Sequence, residues 1–301
     1  MSSETQENLP KPQKPPKTLE ENLGCEWYDA SKINCFRQCP QKYFYRYELG
    51  IITSGKPSVH LTFGSAVHLA LESIYKGTAD VLVSYAGKQI PYYISEFLNN
   101  FTEADEAGFK TRETGVELLH EYRSKWGSRE PFSVDAIEQS ACLDYGDFKW
   151  ITRMDLLINW DEEMPLDHKT TSRFGDAFEG GFKIDIQMTG YIMATRRLRG
   201  NKCNKAVINA LRVTKRISDE SFLRKVTTRR EDELERWELE IKRTIEDVRK
   251  SRRDGFWPMY GNSCYAYNTE CEYRSLCLSS PMQREELIEA NYVVDRWEPT
   301  L

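Results

Sequence analysis

The sequence predicts an α/β fold of the α+β kind, in which a mixed sheet carries flanking helices. Three observations predict it: apolar patterns run helix, strands, helix, strand in chain order; two β-type runs are joined by nothing but an acidic turn; and there is no internal repeat. The first helix is "SAVHLALESIYK" (65–76), where Val67, Leu71 and Ile74 recur on one stripe, and "GVELLHEYRSKW" (115–126) is also helical. "FKWITRMDLLINW" (148–160) and "MPLDHKTT" (164–171) then read as two strands, with the "DEE" between them turning an antiparallel hairpin. In "FKIDIQMTGYIMATRRL" (182–198), Ile184, Met188, Tyr191 and Ile192 lie at helical spacing. "KAVINALRVT" (205–214) reads as a further strand, and a long charged helix follows over 231–253.

A chain of 301 residues, 40% hydrophobic and 12% aromatic, buries a substantial core. Residues 1–24 are set apart, because "MSSETQENLPKPQKPPKTLE" mixes Pro, Lys, Glu and Ser with few apolar side chains and cannot offset its ordering entropy. A disordered tail over 1–24, a main domain over 25–280 and a C-terminal extension over 281–301 are expected. The N-terminal segment lacks the apolar centre of a signal peptide, and no run approaches the roughly 18 apolar residues of a membrane helix. A soluble cytoplasmic protein with no membrane partner is therefore the expectation. The net charge of -5 hides an asymmetry: residues 183–253 hold 20 Lys and Arg against 11 Asp and Glu, a local +9 that leaves -14 elsewhere. Such a segment is consistent with contact to phosphate backbones, and equally with solvated helix faces.

The stretch "KWITRMDLLINWDEEMPLDHKTT" (149–171) places Asp155 inside an apolar run and Asp167 two residues before Lys169. A carboxylate left unpaired in a core costs several kcal/mol or takes up a proton, so these acids require compensation. Neighbouring strands would let Asp155 and Asp167 converge on one divalent cation, and strand alternation puts Lys169 on the same face as Asp167. Two carboxylates, a metal and an ammonium suit phosphodiester hydrolysis, where the metal activates water and the cationic groups stabilise the pentacovalent charge.

With these residues goes a resemblance, from about Ser31 to Cys277, to the RecB-type branch of the PD-(D/E)XK nuclease superfamily, which includes CRISPR-associated and helicase-nuclease-like exonucleases. "FGSAVHLALE" is similar to the family's first motif and implies His68 as a metal ligand; Glu72, four residues on, is a candidate supporting acid. "ITRMDLLI" resembles the Gly-x-x-Asp strand, with Thr152 in place of the glycine, and "PLDHKTT" the Asp-x-Lys strand. "QMTGY" is similar to the Gln-x-x-x-Tyr motif, which implies catalytic roles for Gln187 and Tyr191 on one helical face. Asp147 is a rival acid. The resemblance implies a restriction-endonuclease-like core and a Mg²⁺- or Mn²⁺-dependent deoxyribonuclease. Its site is His68, Asp155, Asp167, Lys169, Gln187 and Tyr191, with the His168 carbonyl as a further oxygen ligand. DNA, single-stranded or at duplex ends, is the implied substrate, and a helicase or recombinase the implied class of protein partner. The alternative is a noncatalytic nucleic-acid-binding module on the same scaffold.

The 8 cysteines, at 25, 35, 39, 142, 203, 264, 271 and 277, have no export signal that would make them a disulfide framework. "CYAYNTECEYRSLC" gathers Cys264, Cys271 and Cys277, and "CFRQCPQKYFYRY" holds Cys39, with Cys35 as its alternate. They resemble the four-cysteine branch of these nucleases, which implies a [4Fe-4S] cluster on Cys39, Cys264, Cys271 and Cys277, a staple between the N- and C-terminal segments. Six residues separate Cys264 from Cys271 where that branch commonly has two, and zinc is the alternative ligand.

Overall fold

The computed structural model describes residues 25–127, 129–200, 202–266 and 269–299; the expected tail, 1–24, lies outside the described residues. Helices of nine residues or more are α1 (Ala30–Gln38), α2 (Val59–Ser73), α3 (Tyr92–Asn100), α4 (Arg112–Trp126), α5 (Ile186–Arg199), α6 (Glu231–Asp254) and α7 (Pro281–Asn291). The strands are β1 (Glu26–Tyr28), β2 (Ile51–Thr53), β3 (Leu82–Tyr85), β4 (Lys88–Pro91), β5 (Ser133–Asp144), β6 (Phe148–Trp160), β7 (Glu162–Thr171), β8 (Lys205–Arg212), β9 (Phe222–Thr228), β10 (Tyr265–Ala266), β11 (Thr269–Glu270) and β12 (Tyr292–Val294).

Six strands form one mixed sheet in the order β1, β6, β7, β8, β9, with β5 along the other edge of β6. β7 and β8 run parallel, as do β1 and β6, and the remaining pairs are antiparallel. The expected β6–β7 hairpin is present with a tighter turn: Trp160 already pairs with Glu162, leaving Asp161 alone at a φ of 72°. Aspartate tolerates that left-handed conformation, which is why one residue suffices where three were expected.

Both faces of the sheet are covered. Val207 packs with Leu156 and Leu166 and Leu211 against the helical layer of α2, α3 and α4, while Ile208 and Ala210 on the opposite face meet Met188, Tyr191 and Ile192 of α5. A strand buried on both sides reads as a continuous apolar run, as "KAVINAL" does. α5 lies close to the sheet because of Gly190: a Cβ there would stand 2.9 Å from the Trp150 indole nitrogen.

Ile184 departs from the expected helical stripe. Asp185 caps α5 with its side chain accepting from the Met188 N–H, so the helix begins at Ile186 and Ile184 is 89% exposed. A capping residue is extended, and the helical period cannot run through it. At the C-terminus, β12 pairs antiparallel with β2, and Tyr292 joins Tyr45, Ile51, Tyr273 and Leu276 in a small core.

Candidate active site and the cysteine cavity

β6 is longer than any neighbour on its β7 edge, and the site occupies the gap. β1 pairs with Phe148 to Trp150 and β7 with Leu156 to Trp160, so residues 151–155 have no strand beside them on that edge. A cavity of about 270 Å³ opens there, lined by Thr152, Arg153, Asp155, Asp167, Lys169, Gln187, Tyr191 and His68, and by Asp29 to Ser31 at the start of α1. A second cavity of about 470 Å³ meets it at His68, Arg153, Asp155 and Lys169 and extends past Glu72, Glu138 and Thr170.

Each polar group in the gap has a structural reason for its place. Asp155 is the last residue before the β6–β7 ladder begins, and its Oδ2 accepts from the His168 peptide N–H at 2.6 Å. The carboxylate thus takes the position of an absent strand partner. His68 on α2 brings Nδ1 to 3.4 Å from the same oxygen. Asp167, only 2% exposed, lies 2.6 Å from the Lys169 ammonium and accepts from the Tyr191 hydroxyl at 3.2 Å. Lys169 donates to Gln187 at 3.0 Å, and Gln187 to Tyr191 at 2.9 Å. Asp167, Lys169, Gln187 and Tyr191 therefore close a ring, with i,i+2 spacing on a strand facing i,i+4 spacing on a helix.

The ring holds charge in a buried place. Burial opposes the Lys169 ammonium, but Asp167 and Asp155 beside it raise its pKa above the ordinary lysine value, so it stays charged. Burial and the nearby Asp155 push Asp167 up against the pull of Lys169. For Asp155, burial is outweighed by His68 and the His168 N–H, which bring it down to about 2. His68 is raised: burial opposes its charge and Asp155 favours it. Burial drops His168 to about 3 and lifts Tyr191 well above the ordinary phenol range, so the first is neutral and the second a standing donor. Two carboxylates, an imidazole and a carbonyl-bearing strand make a donor set suited to a hard divalent cation. Among the described residues, no three His, Cys, Asp or Glu side chains close around one point as a finished coordination sphere. Protein donors engage Asp155 Oδ2 and Asp167 Oδ1, while the buried Asp167 Oδ2 has the Lys169 ammonium beside it and no hydrogen bond among the described residues.

All six residues that the sequence pointed to line this cavity. Asp147 does not: it is exposed and bonded to Arg249 at 2.7 Å. Glu72 pairs with Lys76 and faces the second cavity. Two residues went unnoticed. Arg153 stands two positions before Asp155, on the same face by alternation, and bonds Glu138 at 2.8 Å. Glu138 has a φ of 51° inside β5, between residues that pair with Leu156 and Met154, and so lies opposite Asp155. The i,i+2 spacing could have identified Arg153; nothing in the sequence marks Glu138.

The basic excess over 183–253 is largely spent internally. Arg196, Arg199, Lys205, Arg224, Lys225, Arg249 and Arg252 all pair with carboxylates. The charge count alone therefore overstates a phosphate-binding surface. Among the described residues, no helix is long and apolar enough to cross a membrane.

At the other end of α1, Cys39, Cys264, Cys271 and Cys277 line one cavity of about 250 Å³ together with Lys42, Met259 and Tyr273. The unusual spacing of Cys264 and Cys271 has a local explanation: the residues between them include the paired strands β10 and β11, and the Cys271 N–H donates to the Cys264 carbonyl at 2.9 Å. Tyr265 pairs with Glu270 and Ala266 with Thr269, so the Cys271 backbone lies beside that of Cys264. Cys35 does not line the cavity, and burial pushes its thiol up to about 12.

Among solved structures, the chain is similar to a "Putative exonuclease" from Eubacterium rectale, with 13% identity over 88% of this chain and 99% of that one and a TM-score of 0.46. It is also similar to SSO0001, with 14% identity over 74% of this chain and 85% of that one and a TM-score of 0.33. No curated protein matches the sequence. The family model for the PD-(D/E)XK nuclease superfamily matches residues 30–278, a span that begins at α1 beside the gap in β6 and ends just past the last cysteine of the cavity. With that match running through every element that builds the ring, this chain belongs to the PD-(D/E)XK nuclease superfamily.

Proposed function

We propose that this chain is a divalent-cation-dependent deoxyribonuclease that hydrolyses phosphodiester bonds, acting as an exonuclease on single strands or duplex ends in recombination, repair or replication. The observation that carries the reading is the closed ring of Asp167, Lys169, Gln187 and Tyr191 beside Asp155 and His68 in one polar cleft. A buried structural ion pair needs no glutamine and tyrosine bridging it at the mouth of a cavity; a site that must hold an ammonium against developing negative charge does. His68, Asp155, Asp167 and the His168 carbonyl would hold Mg²⁺ or Mn²⁺, the imidazole tilting the choice toward Mn²⁺. Such an ion, when bound, supplies a Lewis acid and an activated water. Lys169 then stabilises the pentacovalent charge, Gln187 fixes the direction of its ammonium, and Tyr191 keeps one oxygen of Asp167 turned away from Lys169.

The test is incubation of end-labelled single-stranded and duplex DNA with Mg²⁺ or Mn²⁺, with EDTA as control. Cation-dependent shortening from one end is expected. Binding of DNA with no cleavage in either metal would favour a noncatalytic module.

We also infer a [4Fe-4S] cluster on Cys39, Cys264, Cys271 and Cys277. That all four line one cavity of about 250 Å³ is what supports the reading, with a four-thiolate zinc site as the alternative. Anaerobically purified protein is expected to be brown, absorbing broadly near about 400 nm. A colourless protein with stoichiometric zinc would reject the cluster and keep the four-cysteine site.

A further inference from the structure

Behind the catalytic ring, on the opposite face of the sheet, three polar side chains stand in register across three strands. His168 of β7 pairs with Asn209 of β8, and Asn209 with Arg224 of β9. Asn209 is fully buried and His168 is 2% exposed. The Arg224 Nε donates to the Asn209 Oδ1 at 3.2 Å, and the Asn209 amide nitrogen lies 2.7 Å from His168 Nδ1 and 2.9 Å from the Tyr122 hydroxyl. Arg224 is anchored in turn by Glu130, at 2.6 and 2.9 Å, and by the Trp126 ring, 3.7 Å from its guanidinium carbon. Tyr75 stacks on the His168 ring at 5.7 Å.

Chemistry fixes the direction of this ladder. Arginine is only a donor, so Asn209 must turn its oxygen to Arg224 and its NH₂ to His168. The Nδ1 of His168 must then accept, which puts the ring proton on Nε2. The consequence reaches the site through one peptide. β6 pairs with β7 no further than Leu166, and the His168 N–H is what holds Asp155. The strand at that point is positioned by β8 and by the clamped ring.

We propose that Asn209, oriented by Arg224, is a positioning residue of the nuclease site: it locks the His168 ring in one tautomer and so holds the His168 peptide against Asp155. This deepens the nuclease reading and rests on it for its effect on cleavage. Outer-shell partners that hold a metal ligand in place cost about 10–100-fold in metal affinity or activity when removed.

Three readouts test it on the full chain: the His168 tautomer by ¹⁵N NMR, Mn²⁺ affinity by titration without DNA, and single-turnover cleavage. Asn209→Ala should mix the tautomers and weaken Mn²⁺ affinity and cleavage by about 10–100-fold. Phe97→Leu, in the core between α2 and α4, should lower the melting temperature while leaving tautomer and Mn²⁺ affinity as in the wild type. If Asn209→Ala fails to fold, Asn209→Asp keeps the bond to Arg224 but offers His168 an acceptor, and should move the proton to Nδ1. A variant at Asn209 that keeps the wild-type tautomer and Mn²⁺ affinity would overturn the proposal. A wild-type protein that neither binds Mn²⁺ nor cleaves DNA would overturn the nuclease reading instead, with the tautomer still reporting whether Asn209 sets the ring.

Discussion

The polar ring and the cysteine cavity lie at opposite ends of α1 and are held together by different means. The ring hangs on β7 and α5, with Asp155 of β6 beside it, long elements whose register is fixed by many neighbours, and Asp155 and Asp167 each accept from a protein donor. The cysteines hang on a helix end, two-residue strands and the five-residue helix Arg274–Leu278, over two small cores, one of Tyr45, Ile51, Tyr273, Leu276 and Tyr292 and one of Phe36, Tyr43, Val248 and Trp257. Cys39 and Cys264 are 225 positions apart, and their segments are joined by the Gln41 N–H donating to the Pro258 carbonyl at 3.1 Å, by the Ser263 hydroxyl donating to the Gln38 carbonyl and by the Lys42–Glu272 pair at 3.3 Å. The difference teaches that the polar site is preorganised by long paired elements, while the cysteines sit on short elements held by contacts between distant segments.

The sharpest break of that comparison is Asp155→Asn. It should lower cleavage by about 10³-fold or more while the melting temperature holds, because asparagine keeps an acceptor for the His168 N–H. Cleavage at the wild-type rate with unchanged metal dependence would remove Asp155 from the site. Next in size, Lys169→Ala should cost about 10²–10³-fold in single-turnover rate with Mn²⁺ affinity little changed, since the ammonium acts on the transition state. Parallel losses in rate and in Mn²⁺ affinity would mean that the lysine serves the metal.

At the cysteine end the effect should fall on stability. Cys271→Ala is expected to lose bound metal by elemental analysis and to destabilise the protein by about 2–5 kcal/mol, the range for removing a native cross-link. Full metal content in a Cys39→Ala variant would show that the two chain segments are not joined through it. The smallest effect concerns α1 itself. Burial raises the Asp29 carboxyl above its ordinary 3.8, against the bonds from Lys32 and Trp297, so the charged form is disfavoured in the fold. The stability linked to this group is then complete below pH 3.8 and is lost as pH rises through the raised value. Asp29→Asn keeps the cap to the Lys32 N–H, 2.7 Å away, without the charge. A small gain in melting temperature at pH 7 that disappears below pH 3.8 is expected; a loss at pH 7 would mean that the carboxylate is stabilising.

What was legible in the sequence was what repeats within one element. β6 announced itself as an apolar run over residues 148–160, Lys169 fell on the face of Asp167 by a period of two, and Gln187 and Tyr191 fell together by a period of nearly four. These relations need only the local backbone, so the residue string carries them whole. The helix through Ile184 failed for an equally local reason, an aspartate that caps where the period would have continued.

The tertiary structure alone decided everything that depends on which strands meet. The gap in β6 exists because β1 and β7 stop short of one another on its edge, and no pattern within residues 148–160 records where neighbours end. Arg224 became the last member of a ladder ending at His168, 56 positions away in the chain, and not a phosphate-binding cation, because β9 added itself to β8 in one register. The pairing of β10 with β11 likewise brought the backbones of Cys264 and Cys271 together across an irregular spacing. Periodicity is written by neighbours along the chain, whereas register is set by contacts between distant segments, and the charges of this protein take their roles from register.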